Sequence, residues 1–162
     1  NSEYIPSWTT KTILFTIIPD AVSWGTTYTN SNPRAVYCTN ITTSVKTRIW
    51  QIWDWIEVFL RGSPSWYAIS TWLLSTWKAS RIVILIEPNS FIKIYKDWAL
   101  QTNDFVNDII PSTWENSTER FLWKEWTQDI RYLDWWLIWY TVRDWLLSGT
   151  EIQQDYYSNK II

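Results

Sequence analysis

Asp20, Cys38, Asn40 and Glu87 each stand where a run that reads as a β-strand gives way to a turn. In open α/β sheets, ligands gather outside the carboxyl ends of the strands. If these strands are parallel neighbours, two carboxylates and a thiol meet at one edge. Such carboxylates can hold Mg²⁺, or divide into an acid and a base when their surroundings push their pKa values apart. Asp20 and Glu87 are therefore the residues on which a metal-assisted hydrolase or transferase would rest, with Cys38 as a candidate nucleophile. The plainer account is structural. Asp and Asn are common wherever strands turn, Glu87 before Pro88 is an ordinary strand exit, and a lone thiol in an apolar stretch packs as a small hydrophobe.

The parts for other chemistry are missing. With no histidine there is no Ser-His-Asp triad and no His-ligated zinc or haem. Three glycines cannot supply a dinucleotide-binding or P-loop fingerprint, and one cysteine cannot build a CxxC centre. No metal site and no cofactor is expected. The 14 basic and 16 acidic residues are scattered, for a net charge of −2, so there is no electrostatic footprint for nucleic acid. No apolar run reaches the ~18 residues of a membrane helix. No secretory leader is visible, and a soluble chain is expected, its compartment open. "NIT" at Asn40 and "NST" at Asn116 match the N-glycosylation acceptor pattern, a short pattern that arises easily in a chain rich in Asn, Ser and Thr.

The elements that must position these residues change period along the chain. "KTILFTII" (11–18) reads as a strand closed by Pro19-Asp20, 22–29 as a weaker exposed strand and 34–39 as another. From 43 to 61, Val45, Ile49, Ile52, Trp53, Ile56, Phe59 and Leu60 recur at helical spacing, with Arg48, Gln51, Asp54 and Glu57 opposite. Gly62 then reads as a helix stop and Ser63-Pro64 as the start of a second helix, 64–79. "RIVILIEP" (81–88) is a continuous β-branched run, the pattern of a strand buried on both faces. It resembles the buried strand of several α/β folds, among them signalling domains of the Toll/interleukin-receptor type, but no second motif accompanies it. A third helix is expected over 91–110, although "FIKIY" alternates equally well as a strand. A fourth, Trp-rich helix is expected over about 118–148, stopped by Ser148-Gly149, and 150–162 reads as a flexible tail or edge strand.

That fourth segment carries the run "LDWWLIWYTVRDWLL". Wound as a helix, it places Leu122, Trp126, Ile130, Leu133, Leu137 and Tyr140 on one face. Tyr132, Trp135, Trp139, Val142 and Leu146 form a second apolar stripe opposite. A helix apolar on two faces must be covered on both. The second stripe therefore predicts a central helix, a homo-oligomer or partner interface, or else a hydrophobic ligand groove or membrane-surface contact.

The expectation is a single α/β (or α+β) domain, 1–162, with a small sheet centred on 81–88 and covered by four or more helices. Sixteen Trp beside no Met and three Gly would suit a natural chain, a computational design, or a sequence read provisionally from density. The function that fits is a non-catalytic structural or interaction domain, self-associating through the 132–146 face. The alternatives are the carboxylate enzyme and a binding module for sugar or a hydrophobic ligand.

Overall fold

The computed structural model describes residues 10–19, 34–41, 44–52, 54–60, 66–70, 73–88, 90–102, 105–106, 119–122 and 136–159. Within them the chain folds as two antiparallel sheets with one short helix. The strands are β1 (Lys11–Ile18), β2 (Arg34–Ile41), β3 (Ser44–Ile52), β4 (Trp55–Leu60), β5 (Trp66–Ser70) and β6 (Ser80–Glu87). They continue with β7 (Phe91–Lys96), β8 (Ala99–Leu100), β9 (Phe105–Val106), β10 (Glu119–Leu122) and β11 (Trp136–Arg143), and α1 (Gly149–Ser158) follows. A five-stranded sheet runs β11-β1-β6-β7-β8 and a six-stranded sheet runs β10-β2-β3-β4-β5-β9.

The expected helix-covered α/β domain is thereby overturned. The 43–61 segment is the β3–β4 hairpin, paired antiparallel from Thr47↔Leu60 to Ile52↔Trp55. The segments read as helices over 64–79, 91–110 and 118–148 contain β5, the β7–β8 hairpin with β9, and β10 with β11. Their composition explains the outcome. Val, Ile, Thr, Trp, Tyr and Phe crowd these stretches, and stiff or bulky side chains pack better on a pleated surface than on a helix. Two short strands joined by a tight turn shift phase at the turn, and the summed apolar spacing then imitates a helical one.

The strand readings of 11–18, 34–39 and 81–88 hold, as β1, β2 and β6. β1 and β6 lie inside the five-stranded sheet and are both buried along nearly their whole length. The pleat splits them into two layers. Ile13, Phe15 and Ile17, with Ile82, Ile84 and Ile86, face the other sheet and meet Val36, Ile49, Ile56, Val58 and Val142 in the main core. Leu14, Val83 and Leu85 face outward, where Leu147 and Ile152 cover them. A continuous apolar run is thus required although the strands are antiparallel, because both faces are covered. Leu73 and Leu74 join the main core, and their amides both donate to the Asp54 carbonyl, at 3.0 Å each, which ties this loop to the β3–β4 turn.

α1 occupies the expected tail. Ser148 is its N-cap, and Ser148 and Glu151 form a reciprocal capping box. The Ser148 N–H and hydroxyl both donate to Glu151, at 2.8 Å each, and the Glu151 N–H donates to the hydroxyl at 3.3 Å. These bonds, the backbone N–H first, hold the Glu151 carboxyl below its ordinary pKa. A carboxyl lowered by folding contributes stability that is complete above its unfolded pKa and fades as pH falls through the folded value. Amide exchange in the first turn of α1 should therefore speed up on acidification through that range, and Glu151→Gln should flatten the dependence. An unchanged pH profile in Glu151→Gln would remove the carboxyl from the cap.

Candidate functional site

The antiparallel pairing disperses the residues that first suggested chemistry. Lys11 pairs with Ile86, and Ile17 with Ser80. The C-terminal ends of β1 and β6 therefore lie at opposite ends of the sheet, about 25 Å apart at ~3.4 Å per residue for an eight-residue strand. Asp20 itself falls outside the described residues, one position beyond Pro19. Glu87 accepts a 3.1 Å hydrogen bond from the Thr10 hydroxyl. Cys38 and Asn40 lie on β2, in the other sheet, paired with Arg48 and Val45. Asn116 is outside the described residues. Among the described residues no group of three or more His, Cys, Asp or Glu is placed to hold a metal ion, and no helix is long and apolar enough to cross a membrane.

The second aromatic stripe does not exist as a helical face. Tyr132 and Trp135 lie outside the described residues, while Trp139 and Val142 lie on β11. Val142 is buried in the core between the sheets; Trp139 packs on the outer layer, as does Leu146. Self-association through a helix face at 132–146 thus loses its structural basis.

A different set of aromatics is left exposed. Trp77 is 70% exposed and Trp98 is 45% exposed, with Leu100 exposed beside the latter. Both indoles sit on left-handed backbone, Trp77 at φ 58° and Trp98 at φ 69°, and Asp97 precedes Trp98 at φ 48°. For a bulky residue this is an outlier that costs about 1–2 kcal/mol. Asp97 and Trp98 are the two central residues joining β7 to β8, where Lys96 pairs with Ala99. Positive φ at both positions matches the strand twist, and Gly usually takes the second. Here a tryptophan takes it.

Pairing brings the two indoles to one end of the sheet. The Trp77 N–H donates to the Pro19 carbonyl at the end of β1 (2.6 Å), while Trp98 caps β7. β1, β6 and β7 are consecutive, so these anchors lie two strand spacings apart, about 10 Å. Trp145 is exposed at the opposite end, with the Arg143 guanidinium 5.5 Å from its ring centroid.

Beneath the aromatic end lies Arg81, which is 5% exposed. Its Nε and Nη2 donate to Asp155 Oδ2 of α1 at 2.9 and 2.8 Å, and Nη1 donates to Thr16 Oγ1 at 2.9 Å. The guanidinium lies 3.7 Å from the centroid of Trp139. Burial pulls its pKa below the ordinary arginine value, against the opposing hydrogen bond and charge of Asp155. Sequence reading missed Arg81, Trp77 and the role of Trp98. The available signals were a cation opening an apolar run and an Asp-Trp pair between the alternating "FIKIYK" and the short "AL".

No family model matches the chain and no curated protein matches its sequence. Solved structures do share its fold. The binding domain of Paraclostridial Mosquitocidal Protein 1 superposes with a TM-score of 0.67 at 13% identity, over 93% of this chain and 37% of that one. The Botulinum Neurotoxin Type G Receptor Binding Domain gives 0.64 at 14% identity, over 93% and 38%. Domain 4 of AbnA, a GH43 extracellular arabinanase from Geobacillus stearothermophilus, in complex with arabinotriose, gives 0.56 at 12% identity, over 93% and 67%. The chain therefore spans under two-fifths of the toxin binding domains it resembles, and the likeness is one of fold: a β-rich sandwich.

Proposed function

We propose that this chain is a non-catalytic binding module that takes a saccharide on the aromatic end of the five-stranded sheet. The observation that carries this reading is the exposure of Trp77 and Trp98, both on left-handed backbone, at the same end. Backbone strain of this kind persists only where the surroundings impose it, and it concentrates at ligand clamps. A flat indole offers an apolar face to the C–H face of a sugar ring, and two of them on anchors about 10 Å apart suit a ligand of several rings better than a single one. The fold shared with a domain solved in complex with arabinotriose supports the same class of ligand.

Trp98→Gly is the decisive variant. Glycine relieves the left-handed strain, so the melting temperature should hold or rise by a few degrees. Loss of the ring should weaken saccharide binding by about tenfold, the equivalent of ~1.4 kcal/mol. Titration with arabinotriose and a panel of neutral oligosaccharides, read by tryptophan fluorescence and calorimetry, measures this, with Trp77→Ala as the companion. Equal affinity for wild type and Trp98→Gly would place the ligand elsewhere.

A further inference from the structure

Trp98 depends for its pose on the residue before it. Asp97 Oδ1 accepts the Arg81 N–H at 2.9 Å, and the Asp97 N–H donates to the Arg81 carbonyl at 2.8 Å. Side chain and backbone thus grip the same residue of β6. The second carboxylate oxygen lies 3.4 Å from Lys96 Nζ. Both oxygens are engaged within the protein. Asp tolerates left-handed backbone because a short polar side chain can hydrogen-bond locally, and Trp has no such means. Arg81 in turn is immobilised by Asp155, Thr16 and Trp139, so the grip is made on a fixed point. Past the turn, the Gln101 N–H donates to the Ile94 carbonyl at 2.9 Å and its side-chain amide to the Ala99 carbonyl at 2.7 Å, which secures the returning strand.

We propose that Asp97 is the positioning residue of the aromatic end: its clamp on Arg81 holds the left-handed turn that presents the Trp98 ring to ligand. This rests on reading Trp98 as a ligand contact, and the test separates the two. In the free chain, the backbone amide and indole of Trp98 should show rigid ¹⁵N relaxation in wild type. They should become mobile in Asp97→Ala and rigid again in Asp97→Asn, which keeps the Oδ1 acceptor. Trp77 should be unaffected throughout. Arabinotriose affinity should fall about tenfold in Asp97→Ala and return to within about twofold in Asp97→Asn. A Trp98 as ordered in Asp97→Ala as in wild type overturns the proposal, as does an Asp97→Asn variant as mobile as Asp97→Ala. A wild type that binds no saccharide sinks the ligand reading alone, since the relaxation data decide the clamp without it.

Discussion

Asp155→Ala should cost the fold about 3–5 kcal/mol, the usual result of removing one member of a buried ion pair and leaving the other uncompensated. For a chain of 162 residues that is a fall in melting temperature of roughly 6–20 °C. The geometry explains the size. Two guanidinium nitrogens share one carboxylate oxygen at 2.9 and 2.8 Å, and the side chains are 5% and 8% exposed. Burial already works against the charge on Arg81, and the hydrogen bond and charge of Asp155 oppose that effect. Asp155→Asn should fall between, since it keeps an acceptor and loses the charge. The double variant Arg81→Met with Asp155→Leu should recover most of the loss, because an apolar pair of similar volume needs no compensation. Thermal unfolding followed by circular dichroism separates these cases. A loss under 1 kcal/mol in Asp155→Ala would mean that the guanidinium finds water or another acceptor, and that α1 is not pinned through it.

The parts of this fold legible in the sequence are those where burial itself writes the pattern. β1 and β6 are covered on both faces, so each is a near-continuous apolar run and each was readable as a strand, as was the stretch containing β2. β3 with β4 and β7 with β8 are instead hairpins, and the phase change at the β3–β4 turn imitates a helical period across Val45, Ile49, Ile52 and Ile56. The weight of β-branched and aromatic residues in 44–60 was the better guide. "SGTE" at 148–151 carried a legible capping box, yet Gly149 after a supposed helix reads as its stop; it is the first residue of α1. The candidate site was less legible for a physical reason. Positive φ is ordinarily signalled by glycine, and here Trp77, Asp97 and Trp98 adopt it under constraint from Pro19 and Arg81, partners distant in sequence. Asp20 and Glu87 looked convergent only on the assumption of parallel strands.

Phe15→Ala and Leu14→Ala test the two-layer arrangement directly, because adjacent residues of β1 enter different cores. Phe15 is fully buried between the sheets, and its truncation should cost about 3–5 kcal/mol. Leu14 is as completely buried but faces Leu147 and Ile152, and its truncation should cost about 2–5 kcal/mol. The energies overlap; the distribution should not. The core between the sheets joins both, so Phe15→Ala should lower amide protection across β1, β6, β3 and β4 together, as a global loss does. Among the described residues the outer layer is built by α1 and the segment before it, with Phe91, Tyr95 and Trp139 packed beside them; there the Thr12 hydroxyl donates to the Trp145 carbonyl at 2.5 Å and accepts the Leu147 N–H at 3.1 Å. Leu14→Ala should therefore open residues 147–158 at a lower free energy than the strands, giving two classes of exchange where wild type has a narrower spread. If Leu14→Ala instead lowers all amides equally, α1 and the sandwich form one cooperative unit. The Arg81–Asp155 contact would then be part of global stability, and the aromatic end above it could not loosen without the whole fold.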